Sequence, residues 1–287
     1  MILTIFTPTY NRKDRLLRAY ESLKAQSVRD FIWIIVDDGS DDGTGEEVER
    51  LMGEAPFEIR YHRQENGGKM RAHNRGVMMC DTEAFLCLDS DDHLSQGAVN
   101  DILDGWNKIR DDERYAGIIA YKGESEDKVI YGNHFPDTED SSFRELYRKG
   151  FKGETTLVLR TDLLKANLFP EIEGEKYVPE DVVYDRIDEG HIFKVMDRIF
   201  TVCELVDEGL TDRADKLRHE APTGWFIYYY QRAASWPFGI MKIKFASHYL
   251  RFEKLVDKEY REHYALGTGI RLMGYPGALA LGLFGKL

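Results

Sequence analysis

Four short apolar runs, each followed by a polar break and a helical segment, dominate the first third of the chain. The runs are predicted β-strands at residues 2–6, 31–36, 57–62 and 84–88. The spacing of apolar residues predicts helices at 13–26, 46–52, 69–79 and 97–109. Such an alternation of strand and helix indicates a mostly parallel sheet with helices on both faces. The sequence therefore predicts an α/β fold built on a Rossmann-like central sheet.

Beyond residue 110 the pattern becomes less regular and then changes in kind. Short apolar runs predict further strands of the same sheet at 117–121, 155–160 and 200–206. From residue 224 on, aromatic segments predict helices at 224–236 and 240–264, and the apolar tail over 266–287 is rich in glycine. We expect a first domain over residues 1–212, with halves 1–95 and 96–212, and a helical C-terminal extension over 213–287.

The charge balance excludes one broad class of partner. Lys and Arg number 39 and Asp and Glu 51, so the formal net charge is −12. A general nucleic-acid binder needs a cationic surplus to neutralise phosphates, so we expect no nucleic-acid partner. Cations are nevertheless concentrated from residue 216 on, where 11 Lys and Arg accompany 5 Asp and Glu. This asymmetry indicates two surfaces with different partners.

Cysteine usage and the first residues indicate the compartment. Cys80, Cys87 and Cys203 lack the spacing of a disulfide framework or a zinc site, which fits a reducing cytosol. Residues 1–6 are typical of a strand rather than a signal peptide, and no run of 18 residues is purely apolar. We therefore expect a cytoplasmic protein.

Polar clusters follow three of the predicted strands, at residues 8–11, 37–41 and 89–92. In a parallel sheet, ligands bind beyond the carboxyl ends of the strands, so these clusters are expected to converge on one edge. In extended backbone Asp89 and Asp91 point the same way, and two such carboxylates repel unless a cation joins them. Mg²⁺ or Mn²⁺ prefers these oxygen ligands. The alternative is a solvated turn whose aspartate caps the next helix.

Two further clusters contain candidate ligand contacts. Asp37 and Asp38 end a strand, where a carboxylate accepts hydrogen bonds from a base or a ribose. Taken by itself, this cluster is better explained by an Asx turn with Gly39 at a positive φ. Residues 67–69, Gly-Gly-Lys, open a predicted helix that also carries Arg71. Exposed backbone amides and the helix dipole favour an anion at this position, and an ordinary surface helix is the alternative.

The last candidates lie in the second half of the chain. Residues 179–181, Pro-Glu-Asp, open a predicted helix. Acidic residues stabilise the first turn of a helix, and one of these carboxylates is also a candidate general base that deprotonates a hydroxyl. His219 is either structural or a third metal ligand or phosphate contact.

Five motifs occur in the order and spacing of one enzyme family. They are Thr-Pro-Thr-Tyr-Asn-Arg at 7–12, Val-Asp-Asp-Gly-Ser-Asp-Asp-Gly-Thr at 36–44, Gly-Gly-Lys at 67–69, Leu-Asp-Ser-Asp-Asp at 88–92 and Pro-Glu-Asp at 179–181. With them the chain resembles the family 2 glycosyltransferases of the GT-A fold, most specifically over residues 1–94. The resemblance implies that residues 1–95 bind a nucleotide sugar and 96–212 face its acceptor. No Gln-x-x-Arg-Trp motif occurs, which favours a non-processive enzyme of bacterial surface-polysaccharide synthesis.

The resemblance implies a nucleotide-sugar site in the first domain. The base would be contacted near Pro8, Tyr10 and Asp38, and the DxD motif of Asp89 and Asp91 would hold the ribose and a divalent cation, Mn²⁺ or Mg²⁺. The full set of candidate nucleotide-sugar contacts is Pro8, Tyr10, Asp37, Asp38, Lys69, Arg71, Asn74, Asp89 and Ser90. The metal candidates are Asp91, Asp89 and His219. One departure is His73, which stands where many relatives carry an arginine.

The resemblance also implies the reaction. Asp181 matches the family's general base, and Glu180 would orient the acceptor or the base. The acceptor hydroxyl of a glycan or a lipid-linked substrate would displace the nucleoside diphosphate with inversion at the anomeric carbon, and uridine diphosphate is the commonest donor carrier in the family. The alternative is a catalytically silent relative that binds nucleotide sugar or scaffolds a partner.

The C-terminal extension mixes aromatic and basic residues, as in Trp225, Phe226, Lys242 and Lys244. This combination of aromatic and basic residues is typical of helices at a membrane interface. It predicts peripheral contact of residues 217–287 with the inner face of the cell membrane. The alternative is an extension that packs on the first domain or on a second copy in a homodimer.

Overall fold

The computed structural model describes residues 1–203 and 214–283, and these form an α/β fold around one central sheet. The strands are β1 (Leu3–Thr9), β2 (Phe31–Asp37), β3 (Glu58–Arg63), β4 (Ala84–Cys87), β5 (Asp92–Leu94), β6 (Tyr115–Ser125), β7 (Lys128–Val129), β8 (Asp140–Ser141), β9 (Thr155–Arg160) and β10 (Ile192–Cys203). Their order along the sheet is β3-β2-β1-β4-β9-β6-β10-β5, and β7 and β8 pair with β6 and β10.

The described helices alternate with these strands and then follow one another. They are α1 (Lys13–Lys24), α2 (Thr44–Glu54), α3 (Lys69–Met79), α4 (Ala98–Ile109), α5 (Phe143–Arg148), α6 (Thr161–Ala166), α7 (Asp181–Asp188), α8 (Ala214–Glu220), α9 (Pro222–Ser235), α10 (Ile240–Phe252), α11 (Lys258–His263) and α12 (Thr268–Leu283). No described helix is both long and apolar enough to cross a bilayer.

The predicted parallel sheet is confirmed for β1 to β4, and the rest of the sheet is mixed. Strands β3, β2, β1 and β4 pair in parallel, whereas β9 runs antiparallel to both of its neighbours, β4 and β6. Strand β10 returns parallel to β6. The fold class predicted from the sequence, an α/β fold with C-terminal helices, is confirmed, and the antiparallel β9 is the feature that the sequence did not reveal.

Helices cover both faces of the sheet. On one face Leu3 and Ile5 of β1 pack in a core with Leu16 of α1 and Ile102 of α4. On the other face Phe6 lies under α3, where a Cβ atom on Gly76 would meet the Phe6 ring at 2.3 Å. A glycine at this position therefore lets α3 approach the sheet closely.

The chain divides into two compact units, Met1–Leu168 with Arg186–Leu205 and Phe169–Asp185 with Val206–Leu287. The predicted domain boundary at residues 212 and 213 lies outside the described residues. The first unit contains the whole sheet. The second contains α8 to α12 together with residues 169–185, which include the start of α7. It is therefore built from two separate stretches of the sequence.

The second unit has its own aromatic core, which includes Phe226, Tyr249 and Phe252. Helix α12 packs on α10 through small residues, because a Cβ on Gly274 would meet Ala246 at 2.7 Å. The predicted helix over 240–264 is divided into α10, a 3-10 turn and α11, since the backbone is extended at Val256 and Asp257. The glycine-rich tail, which lies in the predicted helical extension, is helical over Thr268–Leu283 despite Pro276.

Candidate active site

Three strand ends converge at the carboxyl edge of the first unit's sheet. Strands β2, β1 and β4 are parallel neighbours, so the polar clusters that follow them lie side by side. The clusters are also bonded to one another: the backbone N–H of Asn11 donates to Ser40 Oγ at 2.9 Å, and the N–H of Asp41 donates to Asn11 Oδ1 at 2.9 Å. Asn11 has a φ of 50°, a left-handed conformation that asparagine tolerates well.

Asp38 holds the loop that precedes α3. Its Oδ1 accepts hydrogen bonds from Gln64 Nε2 at 2.8 Å and from the N–H of Gly67 at 2.9 Å, and its Oδ2 accepts from the N–H of Gly68 at 2.7 Å. The side chain is buried. Asp38 therefore shapes the glycine loop, and the base contact expected of it stays a prediction.

Asp37 has a similar structural task on the neighbouring turn. Its Oδ1 accepts from the N–H of Ser40, and its Oδ2 accepts from the Tyr61 hydroxyl at 2.8 Å. Burial and the Asp37 carboxylate raise the pKa of Tyr61, so this hydroxyl stays a donor. A cleft lined by Gly39, Arg63, Gln64, Glu65 and Asn66 opens beside this turn.

Pro8 and Tyr10, the other expected base contacts, differ in accessibility. Pro8 is buried within β1, whereas the Tyr10 side chain, just past the strand, is 48% exposed. Of the two, Tyr10 has the accessible aromatic surface that a base could stack on.

The three aspartates after β4 each face a cation from a different part of the first unit. Asp89 Oδ1 lies 2.8 Å from Lys69 Nζ, and Asp92 Oδ2 lies 3.3 Å from Lys122 Nζ of β6. Asp91 Oδ2 lies 2.5 Å from Arg12 and 3.6 Å from Arg15. Ser90, between them, is buried. The sheet edge is thus a group of paired charges rather than a cluster of bare carboxylates.

The ionisation of these groups follows from burial and pairing. Burial opposes the charge on Asp89, but Lys69 and Lys122 more than offset it, so its pKa is lowered to about 2. Burial by itself would lower the pKa of Lys122. The carboxylates of Asp92 and Asp89 raise it by more, so the net shift of the pKa is upward. Lys122 is therefore a fixed positive charge beside Asp89 and Asp92.

Of the residues in the first two turns of α3, one contacts the glycine loop and two are buried. The Arg71 guanidinium donates to the carbonyl of Gly67 at 2.7 Å, which places it against the glycine loop. Asn74 and His73 are buried. The His73 ring lies edge-on to Phe6 at 5.6 Å between ring centroids. The residue at the position of the relatives' arginine therefore faces the apolar core in this chain.

The donor chemistry at the sheet edge suits a divalent metal ion. Asp89 and Asp91 are carboxylates with 29% and 18% of their side chains exposed, and hard cations bind such oxygen atoms. Within residues 1–203 and 214–283, no three His, Cys, Asp or Glu side chains are grouped closely enough to hold a metal by themselves. His219 is exposed on α8 of the second unit, and its role as a ligand stays a prediction.

The second unit contains the candidate base, Asp181, at the first position of α7. Asp181 Oδ2 lies 3.1 Å from Arg232 Nη2 of α9, and its side chain is 35% exposed. The same guanidinium binds Asp185, one turn further on α7, through Nε at 2.7 Å and Nη2 at 3.2 Å. Glu180 accepts the backbone N–H groups of Val183 and Tyr184 through its carbonyl.

Aromatic rings surround Arg232 and fix its position. Its Cζ lies 4.6 Å from the Tyr228 ring centroid, 5.6 Å from that of Trp236 and 5.7 Å from that of Phe245. Burial lowers the pKa of Arg232, but Asp181 and Asp185 raise it more, so the charge is permanent. Asp181 therefore has an accessible carboxylate that is held by a rigid cation.

Sequence reasoning missed three cations of these two sites. Arg12 belongs to the first of the five motifs, but nothing in the sequence indicated that it pairs with Asp91. Lys122 and Arg232 are distant in sequence from the carboxylates that they contact. Alternation along β6 was the only available signal for Lys122, since a charged residue interrupts an otherwise buried strand.

Comparison with known proteins agrees with this fold. The sequence model of the family Glycosyl transferase family 2 matches residues 4–167, more than half of the chain. The S. aureus TarS 1–349 structure in complex with UDP-GlcNAc is 15% identical, has a TM-score of 0.64 and covers 96% of this chain and 78% of that one. The Pyrobaculum calidifontis mannosyltransferase PcManGT in complex with GDP-Man and Mn²⁺ is 15% identical with a TM-score of 0.55, covering 97% and 80%.

Two curated relatives are similar over part of their length. The GalNAc(5)-diNAcBac-PP-undecaprenol beta-1,3-glucosyltransferase of Campylobacter jejuni is 27% identical over 175 residues, which are 59% of this chain and 55% of that protein. The teichoic acid poly(glycerol phosphate) polymerase of Staphylococcus epidermidis is 33% identical over 106 residues, 37% of this chain and 15% of that protein. The chain thus spans about half of one relative and a small part of the other. The chain has the GT-A fold of the solved structures and, by its matching family model, belongs to the family 2 glycosyltransferases.

Proposed function

We propose that this glycosyltransferase moves a sugar from a UDP-sugar to a hydroxyl of a glycan or lipid-linked acceptor, with inversion, in the synthesis of a bacterial surface polysaccharide or teichoic acid. The observation that carries the proposal is the grouping of Asp89 and Asp91 with Lys69 and Lys122 at the carboxyl edge of the sheet. Relatives named for teichoic acid and undecaprenol-linked substrates, and a similar fold with bound UDP-GlcNAc, support the pathway and the donor.

Lys69 and Lys122 are the groups that we assign to the donor diphosphate. Both lie next to the DxD motif, where Lys69 pairs with Asp89 and Lys122 pairs with Asp92. A diphosphate that binds there meets positive charges already held in position, so little reorganisation is needed when negative charge develops on the leaving group. Electrostatic stabilisation of that leaving group is the main catalytic contribution that we assign to the first unit.

A divalent cation, Mn²⁺ or Mg²⁺, fits the same edge. Asp91 and Asp89 are the residues that would hold it, because both are accessible carboxylates. When bound, the ion would supply further neutralisation of the diphosphate. Arg12, whose guanidinium lies 2.5 Å from Asp91 Oδ2, fixes the position of that carboxylate.

Asp181 is the general base of the proposal. An inverting transfer needs a carboxylate that accepts the proton of the attacking hydroxyl. Arg232 is a positioning residue: it fixes the carboxylate through a charged hydrogen bond and favours its ionised form. Glu180, the adjacent residue, is assigned to orientation of the acceptor.

The experiment that tests the donor site is a thermal-shift panel of nucleoside diphosphates and nucleotide sugars, each with Mn²⁺, Mg²⁺ or a chelator. A ligand that binds only the folded state stabilises it by about 2.7 kcal/mol at a hundredfold excess over Kd. We expect a metal-dependent shift that is largest with one uridine nucleotide sugar. Asp91→Asn is expected to abolish the metal dependence, whereas Asp101→Asn on the neighbouring helix should leave it unchanged.

The two possible negative results have different meanings. If no nucleotide shifts the melting temperature of folded protein, the donor assignment is wrong and a silent, scaffolding relative is the better description. If nucleotides bind but no sugar is transferred to any lipid-linked or glycan acceptor, the donor site stands and the acceptor class is wrong.

The C-terminal helices are proposed to contact the inner face of the membrane peripherally. One side of α12 packs through glycines. On the other side the exposed fractions of Leu272, Tyr275 and Leu279 are 64%, 47% and 69%. Neither α10 nor α12 contains an acidic residue, while α10 carries Lys242, Lys244 and Arg251. An exposed apolar stripe beside cations suits an anionic bilayer surface.

Vesicle flotation tests this contact. We expect the protein to float with vesicles that contain phosphatidylglycerol, and a variant with Leu272, Tyr275 and Leu279 changed to Ser to lose this property. The matched control changes Met52 and Met78, which are exposed apolar residues of the first unit, to Ser. Equal flotation of the α12 variant and the control would contradict the proposal.

A further inference from the structure

Helices α8, α9 and α10 of the second unit surround one side chain, Tyr229, with cations and ring nitrogens. The His248 ring stacks on Tyr229 with 4.8 Å between centroids and an angle of 13°. The Trp225 ring lies 5.9 Å from Tyr229, and the Arg218 guanidinium lies 5.2 Å from the Trp225 ring. We call these four residues the Tyr229 cluster.

Two buried nitrogens of the Tyr229 cluster lack an acceptor. Trp225 Nε1 and His248 Nδ1 are inaccessible to solvent, and neither has a hydrogen-bond partner in the part of the chain that the structure describes. An indole N–H can only donate, and an imidazole nitrogen can donate in the suitable tautomer. A buried polar atom without a partner destabilises the folded protein. A ligand that accepts hydrogen bonds would remove this cost.

The cluster also lies in a positive field. Lys244, His248 and Arg251 recur at helical spacing on one face of α10. Burial, and then the charges of Lys244, Arg218 and Arg251, lower the pKa of His248 to about 4, so its ring is neutral at pH 7. Burial is the larger cause of this lowering, and the three cations add to it; an anion placed among these cations would be stabilised by them.

The cluster adjoins the segment that carries the candidate base. The Tyr177 ring lies 6.1 Å from that of Trp225, and a Cβ on Gly224 would meet the Tyr177 carbonyl at 2.8 Å. Tyr177 is four residues before Asp181 in the same unit. An anion bound at the cluster is therefore well placed to belong to the molecule whose hydroxyl Asp181 deprotonates.

We propose that the Tyr229 cluster, with Lys244 and Arg251, is a binding site for a phosphate group of the acceptor. The cations neutralise the phosphate, and Trp225 Nε1 and His248 Nδ1 donate to its oxygens. The assignment of the phosphate to an acceptor rests on the proposed function, whereas the anion site itself does not. The phosphate chemistry is shared by a water-soluble glycerol phosphate unit and by a lipid headgroup.

Binding of sn-glycerol 3-phosphate to the full chain tests the site, with glycerol as the neutral control. We expect the phosphate ester to raise the melting temperature and to move the NMR titration of the His248 ring to higher pH. Lys244→Gln and Arg218→Gln should each weaken binding at least tenfold. Lys258→Gln, which removes an exposed cation from α11, should leave it unchanged.

Each outcome separates the sources or overturns the site. Binding of glycerol phosphate identifies a soluble phosphate unit. Binding only to phosphatidylglycerol vesicles, lost in Arg218→Gln, identifies a headgroup, because Arg218 lies on α8 and not on the helices proposed to contact the membrane. No binding of either, or an equal loss in Lys258→Gln, contradicts the site. Uridine nucleotide binding by the same variants keeps the two proposals distinct: if it persists while phosphate binding is absent, only the phosphate site fails.

Discussion

The carboxylates at the sheet edge and those on α7 are held in opposite ways. Asp89, Asp91 and Asp92 are adjacent in sequence, and separate cations from α1, α3, β6 and the residue before α1 hold them. Asp181 and Asp185 share one cation, Arg232. In the first arrangement an incoming diphosphate can replace the carboxylate partner of one cation, or a metal ion the cation partner of one carboxylate, without breaking the other pairs. The second is a single fixed support.

The difference in burial explains what each arrangement is suited to. Asp185 and Arg232 have side-chain exposures of 1% and 14%, so their pair cannot be exchanged for water without a large cost. The Lys69 and Asp89 side chains are 22% and 29% exposed, and their pairing is weaker because solvent screens it. Rigid support is expected for a base that must keep its direction, and exchangeable pairing for a site that must admit a charged ligand.

The largest expected effect is that of Asp181→Asn. An amide cannot accept the proton of the attacking hydroxyl, so we expect the kcat of sugar transfer to fall by about 10²–10⁴-fold. Donor binding in the thermal-shift assay should be unchanged, because the variant does not alter the sheet edge. Glu189→Gln, at an exposed position after α7, is the control. Transfer at the wild-type rate by Asp181→Asn would remove the base assignment.

The second prediction concerns Arg232→Gln. It leaves Asp185 buried without its cation, and we expect the free energy of unfolding to fall by about 3–5 kcal/mol. Transfer should also weaken, with the acid limb of the pH–rate profile at higher pH, since a neighbouring cation favours the ionised carboxylate. Denaturant titration and pH profiles measure the two effects.

Two companion variants distinguish positioning from stability alone. Arg232→Gln combined with Asp185→Asn removes both buried charges and should recover part of the stability while the pH shift persists. Arg232→Lys keeps the charge without the planar fork, so it should keep the position of the acid limb. A pH profile unchanged in all variants would mean that Arg232 has a structural role only.

A smaller effect is expected from Asp38→Ala at the sheet edge. The backbone N–H groups of Gly67 and Gly68 lose their acceptor, so we expect a loss of about 1–3 kcal/mol in the free energy of unfolding. Nucleotide affinity should fall with it, because the glycine loop is no longer held. Asp41→Ala, an exposed neighbour, is the matched control for denaturant titration and nucleotide binding. An equal effect of both variants would contradict the role of Asp38 in the loop.

The smallest expected effect is that of Tyr61→Phe. The substitution removes one hydrogen bond to Asp37, which also accepts from the N–H of Ser40. We expect a loss of about 0.5–1.5 kcal/mol in the free energy of unfolding and an almost unchanged rate of transfer. A loss as large as that of Arg232→Gln would show that a single neutral hydrogen bond in the first unit supports its carboxylate as firmly as Arg232 supports those of α7, and it would contradict the contrast between the two units.

The parts of the first unit that were predicted correctly have local causes. The helix at 69–79 and the strand at 155–160 were predicted with their observed bounds, since apolar spacing is a property of adjacent residues. The convergence of three polar clusters followed from the parallel arrangement of β1, β2 and β4 alone. The antiparallel β9 was not predicted, because strand direction depends on the whole path of the chain.

The second unit was much less predictable. Its aromatic residues indicated helices, but the break after α10 and the helix α12 depend on packing that no motif records. The segment 169–185 belongs to this unit although it precedes β10, and the sequence contains no sign of that exchange. The roles of the site residues remain predictions, and the structure changes which of them are accessible: Tyr10 is exposed, whereas Asp37, Asp38 and Asn74 are buried.

The sequence alone determined the fold class, the family resemblance and the identity of the candidate carboxylates, because each depends on residues that are close together along the chain. The tertiary structure decided which cations hold those carboxylates. Lys122 reaches Asp92 across 30 positions and Arg232 reaches Asp181 across 51, and a Coulombic interaction depends on distance in space rather than in sequence.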